Sequence, residues 1–191
     1  QQIQAVVSDL KIDVIKLGML TSRAICHAVA PFLNSAMVVC DPVMVSTTGF
    51  QLIDDETTDA LIHDIFPLAD YLTPNRFELE KICGRAVDDY EDAGRQLMDR
   101  FPTLTGLAVK GGHVHTDPSA VTDILLYRQT GRIEKVVESR PRHDTPNTHG
   151  TGCTFASALA AFLARGSHPP EAFYRAVAYT HHLIQISAEL R

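Results

Sequence analysis

The sequence contains no tryptophan and no run of five or more like charges. It has no stretch near the ~18 consecutive apolar residues that a membrane helix needs, and no basic-then-apolar leader at its start. A membrane partner is therefore not expected. With 23 acidic against 17 basic residues and a formal net charge of -6, the chain also lacks the basic footprint that nucleic acid requires. Its four cysteines, Cys26, Cys40, Cys83 and Cys153, are scattered, and none forms a CxxC pair or zinc-knuckle spacing. Neither a disulfide framework nor a zinc site is expected, and a reducing, cytoplasmic setting is the simpler expectation. Repeats and low-complexity tracts are absent as well.

What is present is 191 residues, 45% hydrophobic and 21% charged, enough to bury one core. Residues 1–191 read as a single α/β domain. Gln1 to Leu10 looks helical. Asp13 to Gly18 is a short β-branched run, after which Ser22 caps a helical pattern with Ile25, Ala28, Val29, Phe32 and Leu33 on its apolar face. Ala36 to Cys40 is a second apolar run, closed by Asp41-Pro42, and Asp54-Asp55 opens a helix carrying Leu61, Ile62, Ile65 and Phe66. Tyr71-Leu72 leads into Thr73-Pro74-Asn75, where Asn75 caps a helix that Gly84 stops. A further helix spans roughly Asp88 to Phe101. Leu107 to Lys110 is a strand ending in two glycines, and Asp123–Tyr127 with Ile133–Val137 form an antiparallel hairpin across Gly131. Gly150 to Ala164, with Phe155, Leu159, Phe162 and Leu163 inward, and Pro169 to Glu189 are the last two helices.

Strands alternating with helices predict a mostly parallel sheet covered on both faces. In such sheets ligands bind beyond the carboxyl ends of the strands. The loops that start at Gly18, Asp41, Thr73 and Lys110 are thus where chemistry is expected.

The strongest single feature is His149-Gly150-Thr151-Gly152-Cys153-Thr154. Its glycines allow close backbone approach, and the helix behind them presents free N–H groups and a positive dipole end. Such an anion hole suits a phosphoryl group in transfer, whose charge is spread over its oxygens. Cys153 lies in the first turn, where a depressed thiol pKa would let the thiolate accept a proton from a substrate hydroxyl. The competing reading is a small packing residue at a tight helix start. Asp41, at the end of an apolar strand, is either a turn former or a carboxylate that holds a metal ion or its waters. Asn75 and Glu78 have capping-box spacing, so Glu78 either bonds back to its own helix start or reaches metal. Lys110 brings an ammonium beside flexible backbone, suited to phosphate, with a solvated strand-end lysine as the alternative. The nine histidines are dispersed. Neither His181-His182 nor His113 and His115 has a companion at ligand spacing, so packing or surface roles are expected of them. Met19-Leu20 reads more readily as core than as pocket lining.

The order of Lys16-Leu17-Gly18-Met19-Leu20, Asp41-Pro42-Val43-Met44, Thr73-Pro74-Asn75-Arg76-Phe77-Glu78, Lys110-Gly111-Gly112-His113 and Asn147-Thr148-His149-Gly150-Thr151-Gly152-Cys153-Thr154 resembles the hydroxymethylpyrimidine (phosphate) kinases of thiamine biosynthesis. The resemblance runs over almost the whole chain. It implies a ribokinase-like three-layer α/β/α sandwich with a mostly parallel central sheet and an antiparallel edge hairpin. It also implies Mg-ATP-dependent phosphorylation of 4-amino-5-hydroxymethyl-2-methylpyrimidine, and then of its monophosphate to the diphosphate. Carried over residue by residue, Cys153 becomes the base and Gly150, Thr151 and Gly152 the anion hole. Asp41 and Glu78 stand on the Mg2+ side, and Lys110, Asp41, Thr73 and Asn75 on the ATP side. Met19 and Val43 line the pyrimidine pocket, and the family implies a homodimer.

Two departures from the family pattern stand out. The resemblance places on the order of 60 residues, about two βα units that help complete the pocket, ahead of Gln1. The chain is then either a piece of a longer protein or one that lacks part of its site. Thr48 also stands where the family has serine, a change that keeps the hydroxyl. The Thr116–Ala120 loop reads as loosely constrained. Two rivals remain open: a pyridoxal kinase of the same fold, and a ligand-binding module that has lost turnover.

Overall fold

The computed structural model of the chain describes residues 1–46, 50–111, 119–143, 145 and 149–189. Four strands, β1 (Val14–Leu17), β2 (Met37–Cys40), β3 (Tyr71–Leu72) and β4 (Gly106–Val109), pair in parallel in that order. Two longer strands, β5 (Ala120–Gln129) and β6 (Arg132–Pro141), extend the sheet antiparallel from β4. The helices are α1 (Gln2–Asp9), α2 (Arg23–Val29), α3 (Asp55–Ala60), α4 (Arg76–Cys83), α5 (Tyr90–Arg100), α6 (Thr151–Ala164) and α7 (Pro169–Glu189).

Alternation along the strands divides the core between two faces. Val38 and Cys40 of β2 join Leu17, Leu72 and Leu107 in a cluster built with Cys26, Leu61, Leu79 and Leu97 from the α2 to α5 side. Val39, between them, faces the other way and joins Ala108, Leu125, Phe155, Leu159 and Phe173 under α6 and α7. This is the three-layer arrangement with an antiparallel edge hairpin that the sequence predicts.

The capping chemistry matches the sequence closely. Ser22, Asp54 and Asn75 each accept a backbone N–H three residues on, at 3.3, 2.8 and 2.9 Å. Gly84 closes α4 in the left-handed region at φ 67°. Thr130 and Gly131, at φ 48° and 78°, make the tight turn between β5 and β6, whose primed geometry matches the twist of the strands.

The structure corrects one helix face. In α2 the inward residue is Cys26, while Ile25 and Ala28 are exposed. That α-helix ends at Val29, and the tighter turn Ala30–Ser35 that follows, with Pro31 near its start, rotates the face so that Leu33 rather than Phe32 is fully buried. The hairpin is also longer than predicted, because its outer strand alternates half-buried with exposed polar residues and so carries no apolar run. Thr48, Gly112, His113, His115, residues 116–118 of the loop, Asn147 and Thr148 lie outside the described residues. No helix among the described residues is long and apolar enough to cross a membrane.

Candidate active site

Backbone hydrogen bonds gather three strand-end loops at one edge of the sheet. The Asp41 N–H donates to the Leu17 carbonyl at 3.0 Å, the Thr73 N–H to the Cys40 carbonyl at 3.0 Å, and the Lys110 N–H to the Pro74 carbonyl at 2.9 Å. Each ladder is thereby prolonged one residue past its strand, which fixes where the side chains of Asp41, Thr73 and Lys110 emerge.

Those side chains converge. Asp41, 1% exposed, accepts at Oδ1 from the Lys110 ammonium at 2.7 Å and from the Thr73 hydroxyl at 3.1 Å. Its other oxygen, Oδ2, is buried and has no hydrogen-bond partner among the described residues. Burial opposes the charge on Lys110, but the carboxylates of Asp41 and Glu78 outweigh it and hold the ammonium above its ordinary pKa. The same ammonium reaches the start of α6, where a Cβ added to Gly152 would stand 3.0 Å from Lys110 Nζ. Gly150 supplies the left-handed residue, φ 79°, from which α6 departs, and no side chain caps the helix there. The start of α6, with no side-chain cap at Gly150, is therefore set against the Lys110 ammonium.

A cavity of about 400 Å³ opens beside this edge, towards β5, β6 and α7. Phe155, Val177 and Ile184 give it an apolar wall, while Lys110, Asp123 and Arg140 supply charge. Asn75, Thr151 and Gly152 also line it, but Met19 and Val43 do not. Arg140 pairs through Nη2 with Glu138 at 2.7 Å, and its Nε is buried without a partner. Among the described residues, Asp41 Oδ2 and Arg140 Nε are the buried side-chain polar atoms left unpaired. Buried polar groups are almost always satisfied, so each of these atoms is a candidate ligand contact, Asp41 Oδ2 an acceptor beyond β2 and Arg140 Nε a donor on β6 at the cavity.

The geometry bears on three expectations. Thr73 is fully buried, and its hydroxyl donates to Asp41 and orients that carboxylate. Glu78, 2% exposed, closes the capping box of α4: its Oε2 accepts the Asn75 N–H at 2.7 Å, and the Met44 backbone supports it as well. Desolvation, opposed by Lys110, raises its pKa to about 7, and the capping-box bond is the side-chain hydrogen bond that occupies Oε2. Cys153 does stand at the exposed start of α6, but its thiol is not depressed. Desolvation and the negative charge of Asp41 push it up, and the ammonium groups of Lys16 and Lys110 pull against that rise without reversing it. The dipole argument left out the carboxylate that the fold sets opposite the helix start. The Met19-Leu20 pair divides, with Leu20 in the core and Met19 47% exposed.

Residues the sequence did not single out also belong here. Asp123 accepts the Gly111 N–H at 2.8 Å and so fixes the residue that follows Lys110. A carboxylate on an inward position of a hairpin strand was its available signal. Lys16, an ammonium within an otherwise apolar strand, was legible in the same way.

Comparison with known proteins agrees with this geometry. A family model for phosphomethylpyrimidine kinase matches residues 1–191. The chain is 40% identical to the thiamine biosynthesis bifunctional protein ThiED of Geobacter sulfurreducens, over 99% of this chain and 38% of that protein. It is 38% identical to a hydroxymethylpyrimidine/phosphomethylpyrimidine kinase of Rhizobium meliloti, over 99% of this chain and 70% of the relative. In structure it resembles the phosphomethylpyrimidine kinase of Clostridium difficile 630, with TM-score 0.76 and 28% identity over 96% of this chain and 74% of that one. It equally resembles a pyridoxal kinase of Staphylococcus aureus in complex with AMP-PCP and pyridoxal, with TM-score 0.77 and 28% identity over 94% and 64%. The chain thus spans less than half of the Geobacter protein and about two thirds of the others.

Proposed function

The chain belongs to the phosphomethylpyrimidine kinase family, and we propose that the protein transfers the γ-phosphoryl group of ATP to 4-amino-5-hydroxymethyl-2-methylpyrimidine, and then to the resulting monophosphate. The observation that carries this reading is Lys110, held at 2.7 Å from Asp41 and packed against Gly152 at the uncapped start of α6. Fixed donors and a fixed cation around one point are what a phosphoryl group needs as charge develops on its oxygens.

ATP occupies the cavity beside α7, its base against the apolar wall and its phosphates towards Lys110. Arg140 Nε is a further donor there. In the first transfer the substrate hydroxyl oxygen bonds to the γ-phosphorus, the bond from phosphorus to the ADP oxygen breaks, and the hydroxyl proton passes to the Cys153 sulfur. Gly150, Thr151 and Gly152 supply backbone donors to the group in flight. Asp41 Oδ2, an unpaired buried carboxylate oxygen, fits Mg2+ or one of its waters, and that ion would neutralise charge on the donor phosphates. The first residue to test for metal is therefore Asp41, with Glu78 behind it as the cap of α4. Met19 and Val43, outside the ATP cavity, remain on the pyrimidine side. Pairing into a homodimer is inferred from the family alone and is tested by sedimentation equilibrium.

The near-equal likeness to a pyridoxal kinase keeps one alternative, in which the ring alcohol is pyridoxal. Coupled ADP release with hydroxymethylpyrimidine, its monophosphate and pyridoxal in parallel, with and without Mg2+, tests the reading. Preferential turnover of the two pyrimidines supports it. Preferential turnover of pyridoxal moves the substrate, and no turnover of any of them leaves a binding module.

A further inference from the structure

Lys16 carries a charge to which the proposed transfer assigns no contact with either substrate. On β1 it pairs in register with Val39 and shares a sheet face with Val14, which packs in the cluster under α6 and α7. Its side chain thus rises on the α6 side of the sheet, and α6 packs over β1 and β2. The ammonium folds towards the carboxyl edge, where a Cβ added to Gly18 would stand 2.9 Å from Lys16 Nζ. From there it lies within electrostatic reach of both Cys153 and Cys40. It has no ion pair and no hydrogen bond among the described residues, in contrast to Lys110.

Position decides what such a group is for. Along the edge the order is cavity, Lys110 on β4, β3, Asp41 on β2, and Lys16 on β1. Strands lie about 4.8 Å apart, so the roots of the two lysines are separated by roughly 14 Å, with Cys153 and Asp41 between them. Lys16 does not line the cavity that takes the donor, whereas Lys110 does. In an in-line transfer the acceptor approaches from the side opposite the donor. Lys16 is therefore on the acceptor side. A half-buried ammonium without a counter-ion there is stabilised by an acceptor that brings its own negative charge. The pyrimidine alcohol brings none; its monophosphate brings close to two negative charges at neutral pH.

We propose that Lys16 is an acceptor-side anion site, which binds the phosphate of a phosphorylated acceptor and so favours the second phosphoryl transfer without serving the first. The inference rests on the kinase reading for its substrates. In the second transfer an oxygen of the acceptor phosphate bonds to the γ-phosphorus as the bond to ADP breaks. That oxygen is already ionised, so no proton has to pass to Cys153. Lys16 holds the nucleophilic phosphate against the repulsion of the donor phosphates.

The test compares the unsubstituted protein with Lys16→Met, which keeps the length and the apolar stem, and Lys16→Arg, which keeps the charge. Thermal melts establish that each variant folds. Loss of the Lys16 charge also removes its pull on the Cys153 thiol and lowers kcat on the alcohol, so the readout is KM: the expected result for Lys16→Met is at least a tenfold rise in KM for the monophosphate and a rise several times smaller for the alcohol, with Lys16→Arg close to the unsubstituted protein. Equal rises in KM for both acceptors, or no rise for either, overturn the proposal. Inorganic phosphate, titrated calorimetrically with ADP saturating, is a probe that does not depend on the pyrimidine. Its binding is expected to be lost in Lys16→Met, and equal binding by both proteins overturns the anion site. If neither pyrimidine is turned over while phosphate binding still depends on Lys16, the kinase reading falls and the anion site stands.

Discussion

Two carboxylates meet the same sheet edge and differ in what surrounds them. Asp41 and Glu78 are 1% and 2% exposed, and each follows a short parallel strand by a few residues. Glu78 is taken up by the start of α4, where it and Asn75 satisfy each other's backbone N–H groups. Asp41 shares one oxygen between Lys110 and Thr73 and leaves the other buried and unpaired. The helix starts differ too, α4 closed by a capping box and α6 without a side-chain cap. Burial alone therefore does not mark a functional carboxylate. What marks it is an unsatisfied buried oxygen beside a fixed cation.

The sharpest way to break this contrast is Asp41→Asn. The amide still accepts from Thr73 but leaves the Lys110 ammonium buried without its counter-ion, which is expected to cost about 3–5 kcal/mol in a urea unfolding series. Turnover measured by ADP release is expected to fall about 10³-fold, because the acceptor for the metal side and the anchor of Lys110 are lost together. A fall of less than tenfold would reduce Asp41 to the structural class of Glu78.

Next in size is Cys153→Ala. As a general base, the thiol is worth about 10²–10⁴ in rate to an acceptor that must lose a proton. The alcohol is such an acceptor and the monophosphate is not. The substitution is thus expected to lower the first transfer at least 10²-fold and the second by much less, read as kcat on each substrate. Because the thiol is raised, the thiolate is scarce at neutral pH, and the first transfer should accelerate as pH rises towards 9 and beyond, while the second should not. A loss below tenfold on the alcohol would remove the base role.

Glu78→Gln is predicted to act on stability. Folded Glu78 keeps its proton up to about pH 7, whereas the unfolded residue releases it near 4.5. Between those values the unfolded state binds fewer protons, so the stability contributed by the buried group is full at low pH and is lost as pH rises through 7. The total is of order 3 kcal/mol at about 1.4 kcal/mol per unit. The unfolding free energy of the native protein, measured relative to Glu78→Gln, should fall by that order between pH 4.5 and 7.5. A flat difference would mean that the carboxylate is charged throughout.

How far the sequence discloses the molecule follows from range. Caps at Ser22, Asp54 and Asn75, the stop at Gly84 and the alternation of strands with helices are local or periodic signals, and the structure repeats them. The Asn75–Glu78 capping box is likewise written in four adjacent residues. The elevated thiol of Cys153 is not, because its causes are burial in the folded chain and, after it, a carboxylate 112 positions earlier, both brought about by the packing of α6 over β1 and β2. Thr73 reads as a ligand-binding threonine at a strand end, and its 3.1 Å bond to Asp41, made across 32 positions, adds a supporting role that no local pattern carries. Lys16 and Asp123 were passed over for the converse reason. Within their own strands they are single polar residues, and their meaning comes from the edge they share with Lys110.

The smallest effect bears on the two helix starts. Gly152→Ala puts a methyl group 3.0 Å from Lys110 Nζ, an atom already tied at 2.7 Å to Asp41, so the ammonium must yield by a few tenths of an ångström. Alanine favours the helix over glycine by up to about 1 kcal/mol. The two effects pull in opposite directions on different observables. Thermal stability should hold or rise slightly, while KM for ATP should increase about threefold and kcat change less. Lower stability with unchanged KM would mean that the start of α6, like that of α4, is closed upon itself, and that Lys110 does not share its anion site.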